Sequence, residues 1–175
     1  MTLLLDDGTI GLRPLVIDDT AAHLAGCDVL INERLGGGEP PREADVAQWL
    51  VGNAQAWEEA GEVVDLGVVD VASGELAGCV GIQRGLDYLR DGQVNLTYAL
   101  YPGWRGRGYA VRAVRLATRL ELARREVAAF VIRAAPDNPE SIAVARRAGF
   151  EPAGTTDDAH GLLEWFTQLP PTNRD

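Results

Sequence analysis

The chain has 175 residues, enough for one domain with a sizeable core and short for two. With 46% hydrophobic and 24% charged residues it reads as an ordinary globular protein, not a disordered one. A net charge of −10 argues against a general nucleic-acid binder, and no direct nucleic-acid contact is expected. All 16 basic residues are arginine, which excludes a lysine Schiff base and a lysine-bearing phosphate loop. Cys27, Cys79, His23 and His160 show no metal or redox spacing, so no metal is expected. The two free thiols and the lack of a leader pattern point to the cytoplasm. No apolar run approaches the roughly 18 residues of a membrane span, so no membrane partner is expected.

In chain order, Ile10 to Ile17 reads as a first strand, with Pro14 marking an edge or a bulge. Asp18 and Asp19 offer an N-cap for a helix through Ala21, Ala22 and Leu24. Residues 26–42, with three consecutive glycines and Pro40-Pro41, read as a flexible acidic loop. A helix is predicted from Glu43 to Glu59, with Val46, Trp49, Leu50, Asn53 and Trp57 on one face. Strands follow at Val63–Val71, Leu76–Arg84 and Gln93–Leu100, joined by turns at Asp70–Gly74 and Asp91-Gly92. They predict an antiparallel meander.

The pattern then changes. A helix runs from Tyr109 to about Arg125, with Ala110, Ala113, Val114, Ala117 and Leu120 inward and Arg112, Arg115 and Arg119 outward. Val127 to Ala134 is nearly all apolar and suits a strand buried on both faces, parallel to its predecessor. Asn138 followed by Pro139 is a strong helix start, and Arg146, Arg147 and Gly149 suit its end. Phe150–Thr155 and Leu162–Leu169 predict a final antiparallel pair. Residues 1–169 read as a single domain and 170–175 as a loose tail.

Charge is unevenly spread. Residues 101–150 carry a net +6 inside an otherwise acidic chain. At the head of that block, running on from the preceding strand, stands Leu100-Tyr101-Pro102-Gly103-Trp104-Arg105-Gly106-Arg107-Gly108-Tyr109-Ala110, lying between a strand and a helix. Glycines at a helix N-terminus let backbone N–H groups approach an anion, and the helix dipole favours it. The stretch therefore reads as a phosphate or pyrophosphate site. It follows antiparallel strands rather than the first strand of a parallel series, which disfavours a dinucleotide fold.

These residues resemble the GNAT superfamily of N-acetyltransferases. The superfamily's Gln/Arg-x-x-Gly-x-Gly/Ala motif stands here as Arg105 to Ala110. Its second motif, an Asn opening a helix that ends in Gly-Phe, stands as Asn138 to Gly149-Phe150. Leu12-Arg13-Pro14-Leu15 with Asp18-Asp19 is similar to the Rim-type branch, which acts on ribosomal-protein N-termini. The resemblance implies a mixed α/β fold: a mostly antiparallel sheet of six to seven strands, flanked by about four helices and splayed at a cofactor cleft.

It also implies acetyl-CoA as co-substrate and transfer of acetyl to a primary amine by direct attack. The backbone of Leu100, Tyr101 and Pro102 is expected to pair with the pantetheine arm, with the Leu100 N–H polarising the thioester carbonyl. The amides of Arg105, Gly106, Arg107, Gly108, Tyr109 and Ala110 would cradle the pyrophosphate, and Asn138 would bond the pantetheine. Arg146 or Arg147 would reach the 3′-phosphate. Relatives often carry Glu where this chain has Asn95, which cannot accept a proton. Glu33, Asp65 and His160 are then the candidate bases on the acceptor side. A Tyr that serves many relatives as leaving-group acid is replaced by Ala145. Ser141, at the Rim-type position, and Tyr98 are the candidate proton donors.

The acidic exterior favours a cationic acceptor: a protein N-terminus, a polyamine or an amino sugar. A homodimer is common in the family. Two other readings stand beside the enzyme. A CoA-binding module without turnover would bind but release no thiol, and an interaction protein with a glycine-rich loop would not bind CoA.

Overall fold

The computed structural model describes residues 2–35, 37–158 and 161–171. His160, one of the candidate bases, lies outside the described residues, as does most of the tail. The strands are β1 (Leu5–Asp6), β2 (Ile10–Pro14), β3 (Val63–Asp70), β4 (Leu76–Gln83), β5 (Gln93–Leu100), β6 (Ala129–Ala134), β7 (Glu151–Asp158) and β8 (Gly161–Gln168); the inner ones are rich in branched and apolar residues, whereas the edge strand β7 is exposed along its length. They join in one sheet of eight strands in the order β1-β2-β3-β4-β5-β6-β8-β7. The helices are α1 (Thr20–Gly26), α2 (Val29–Leu35), α3 (Glu43–Glu58), α4 (Tyr109–Leu122) and α5 (Pro139–Ala148).

The fold class and the β3-β4-β5 meander are as expected from sequence, and β6 returns parallel to β5 through α4. Three details differ. The sheet has eight strands instead of six or seven, because the two-residue β1 is too short to show a period. Strand β2 stops at Pro14, and Ile17–Asp19 turns in a 3₁₀ helix. The stretch read as a loop holds α2, whose first turn is capped by Asp28, with Oδ1 accepting from the Ile31 N–H at 3.0 Å.

The main core lies between the sheet and α4 and α5, where Ile10, Leu12, Leu66, Val80, Leu96 and Phe130 are buried. A smaller cluster, Leu15, Val46 and Leu50, sits under α3 on the opposite face. Burying an aliphatic side chain is worth about 1.5–3 kcal/mol, so the α4 face carries most of the stability. Among the described residues no helix is long and apolar enough to cross a membrane.

Strands β5 and β6 pair over only three positions, Gln93 with Ala129, Val94 with Phe130 and Asn95 with Val131. Beyond Asn95 they part, and β6 continues against β8 as far as Ala134. The parting leaves one side of β5 from Leu96 to Leu100 without a strand partner. That split positions the site.

Candidate active site

Strand alternation sets the edge of the split. The Tyr101 N–H crosses to the Ala77 carbonyl on β4 at 2.9 Å. The preceding residue must face the other way, so the Leu100 N–H points toward the opened side. The Leu100 carbonyl, on the same side, accepts from Arg105 Nε at 2.9 Å. Next comes a 3₁₀ turn, Pro102–Trp104, and then Gly106 and Gly108 with φ of +76° and +77°. An L side chain rarely adopts that backbone, and a Cβ at either position would touch no protein atom. Among the described residues no hydrogen bond uses the N–H of Gly106, Arg107 or Gly108. The first-turn N–H groups of α4, at Tyr109 and Ala110, are free by helix geometry.

These amides open on a groove of about 410 Å³ between the α4 N-terminus and α5, reaching from Leu100 past Gly106 and Gly108 to Pro139 and Arg147. A second groove of about 620 Å³ continues along α4 past Arg112, Arg115 and Arg119. Arg112 is paired with Asp7 at 2.7 Å, and Arg115 donates to the Arg147 carbonyl. Free donors, absent side chains and surrounding guanidinium groups fit a phosphorylated, extended ligand.

The anchors of this loop lie elsewhere. The Tyr109 ring stacks on Trp104 with centroids 5.7 Å apart, and its hydroxyl donates to Asp70 at the end of β3. Arg107 lies over Trp104. The Arg105 guanidinium forms a double ion pair with Asp28, at 2.7 and 2.9 Å. Its side chain therefore ties the loop to α2, while its backbone stays in the anion-facing run. Tyr101 is divided in the same way. Its ring is buried, and its hydroxyl meets His23 Nδ1 at 2.9 Å.

Across the split, Tyr98 and Ser141 meet. The Tyr98 hydroxyl donates to the Ser141 carbonyl at 3.0 Å and lies 2.9 Å from Ser141 Oγ. Burial pushes the Tyr98 phenol up to about 12, the Ser141 hydrogen bond opposing it, so it stays protonated at neutral pH. Asn138 caps α5 by accepting from the Ser141 N–H at 3.1 Å. Ala145, the position of the missing Tyr, is fully buried.

The acceptor-side candidates separate. Glu33 is exposed on α2. Asn95 is 3% exposed, lies in the paired part of β5, and donates to Gln83 at 2.7 Å. Asp65 is half-buried on β3, its backbone held by both amide atoms of Asn53. Desolvation pushes its carboxyl above the ordinary range, with a Trp49 hydrogen bond acting against the rise. Sequence reasoning passed over His23, Cys27 and Asp28. Cys27 Sγ lies 3.3 Å from His23 Nε2, and burial holds the imidazole below its usual pKa, Asp19 opposing. The i, i+4 spacing of His23 on α1 and Cys27 just past its end was the only signal for that pair.

The model of the acetyltransferase (GNAT) domain matches residues 9–151. The chain is a member of the GNAT acetyltransferase family. It is accordingly an N-acetyltransferase enzyme. Among curated proteins, none matches its sequence.

Solved structures share the GNAT fold. A GNAT-family acetyltransferase from Bacillus anthracis aligns at TM-score 0.77 and 15% identity, over 97% of this chain and 98% of that one. The structure of AAC(6')-Ib with ribostamycin and coenzyme A aligns at 0.78 and 24%, over 95% and 98%. RimL, a ribosomal-protein α-N-acetyltransferase, in complex with coenzyme A, aligns at 0.79 and 17%, over 96% and 98%. At these identities the likeness shows the GNAT fold.

Proposed function

We propose that this GNAT enzyme moves an acetyl group from acetyl-CoA to a primary amine by direct attack, with both substrates bound together. The observation that carries the reading is the run of unbonded amides from Gly106 to Ala110, at the mouth of a groove beside parted strands. Those amides would hold the pyrophosphate. The open edge of β5 at Leu100 would align the pantetheine, with Asn138 at its side. Arg147 and the α4 arginines would face the nucleotide end. Bound acetyl-CoA would supply the activated acetyl thioester.

The chain's own groups account for the other requirements. The Leu100 N–H is aimed where the carbonyl oxygen gains charge. Ser141, backed by the Tyr98 hydroxyl, holds a proton beside the departing sulfur. Asp28 lies near Leu100, but Arg105 holds its carboxyl below the ordinary range, which makes it a poor base. Asp65 stands on β3, two strands from β5, and its cross-strand row reaches β5 at Thr97, three residues or about 10 Å of strand from Leu100, too far to take the proton directly. The amine then loses its proton before attack, and the rate follows the amine's own titration.

The acidic surface favours a cationic acceptor, and the relatives' acceptors include an aminoglycoside and a ribosomal protein. Release of thiol from acetyl-CoA over a panel of amines tests the reading. Ser141→Ala should lower kcat about 100-fold with CoA affinity within a factor of about two. Tight CoA binding with no thiol released by any amine would leave a binding module instead.

A further inference from the structure

We propose that the acceptor carries a second ammonium group and that Asp65 binds it, in a crevice on the sheet face under α1 and α3; this rests on the acetyl-transfer reading above. Asp65 on β3, Gly81 on β4 and Thr97 on β5 stand directly opposite one another and so share a face. Gly81, without a side chain, lets its two neighbours close in. A Cβ there would lie 2.3 Å from Thr97 Oγ1 and 2.6 Å from Asp65 Oδ1, so the two oxygens converge into the space a larger residue would take. Asp65, Cys79 and Thr97 keep solvent access in mid-sheet, whereas Leu66 and Val80, on the other face of the same strands, are fully buried. The helices on this face therefore leave a crevice above these positions.

The crevice lacks a cation. Other shielded carboxylates have one: Asp19 pairs with Arg13 at 2.6 Å, and Glu121 with Arg84 at 2.8 Å. Among the described residues Asp65 has no ion-pair partner, only the Trp49 hydrogen bond. A shielded carboxylate without a counter-charge costs stability unless a ligand supplies the charge. The surroundings suit an ammonium. Trp49 stands beside the carboxyl with the His23 ring 4.9 Å from it, and π faces attract cations. Two residues along the same face of β5, buried Asn95 has an amide oxygen with no hydrogen-bond partner. The floor thus offers acceptor oxygens, which complement the N–H groups of an amine.

The span selects the substrate. The Asp65–Thr97 row lies about 10 Å of strand from Leu100. An amine reacting at Leu100 with a second nitrogen at Asp65 must be a diamine with roughly five or more carbons between its nitrogens. The test compares kcat/KM for linear diamines with monoamines of matched length. The native enzyme should favour diamines by about tenfold or more. Asp65→Asn should bring that ratio close to one. Asp65→Glu should keep the preference and move the optimum to a shorter diamine. A ratio unchanged in Asp65→Asn, or a parallel loss on both substrate types, would overturn the proposal.

Calorimetric titration of a diamine into the CoA complex gives a readout apart from turnover. Heat of binding lost in Asp65→Asn, with CoA affinity intact, supports the site even if no amine releases thiol, in which case the transfer reading fails alone. Acetylation of amines with no response to Asp65 leaves transfer standing and removes the site.

Discussion

Asp65 makes an opposite demand on folding and on binding. Its desolvated carboxyl is held above the ordinary carboxylate range, so the folded state binds its proton more tightly than the unfolded chain does. The sign follows. Below the unfolded pKa of about 4 the cost is absent, and it grows as pH rises through the folded value. Asp65→Asn should therefore raise Tm at pH 7 by about 2–4 °C, as for a gain of about 1 kcal/mol in a chain of this size. The gap should close below about pH 4. A thermal melt series across pH checks this, and a variant less stable than the native protein at pH 7 would contradict it. Thr97 and Asn95 share the face but carry no charge, so the effect belongs to Asp65.

Helix α2 joins the two arms of the cleft. At its start, Asp28 accepts from the Ile31 N–H and grips Arg105 on the amide-bearing loop. Near its end, Arg34 meets Asp137, just before the cap of α5, at 2.7 Å. One short helix thus spans from the α4 loop to the α5 loop. Its Val29, Leu30 and Leu35 are exposed, so packing alone holds it weakly. The Asp28–Arg105 pair is about one-third exposed on each side, and such pairs contribute at most about 1 kcal/mol. Asp28→Asn keeps the cap and removes the ion pair. Amide hydrogen exchange in residues 29–35 should then quicken up to about fivefold. Unaltered exchange would show that the cap and the half-buried Ile31 and buried Asn32 hold the helix without Arg105.

Over the whole molecule, charge is unevenly spread. A net +6 sits in residues 101–150, against −10 for the chain. The fold gathers part of it along α4 and at the end of α5, where Arg112, Arg115, Arg119 and Arg147 line one continuous groove. CoA affinity should fall roughly tenfold between about 50 and about 500 mM salt, because exposed arginines are screened. Equal affinity at both ionic strengths, measured by titration, would detach the arginines from binding. The same exposure explains why these side chains contribute little to stability.

Elements whose signals are local could be read from the residues alone. Glycines after a strand, an Asn-Pro helix start and an apolar run long enough for β6 each act over a few residues, so the amide run from Gly106 to Ala110 and the cap at Asn138 were legible. So was the meander, because its turns are written between its strands. The rest lies in contacts between residues far apart in the chain, which folding alone brings together. The meeting of Tyr98 with Ser141, the hold of Arg105 on Asp28 instead of a ligand, and the convergence of Asp65 and Thr97 over Gly81 each depend on strand register and helix docking. Register is set by the packing of whole faces, and no short window of sequence contains it.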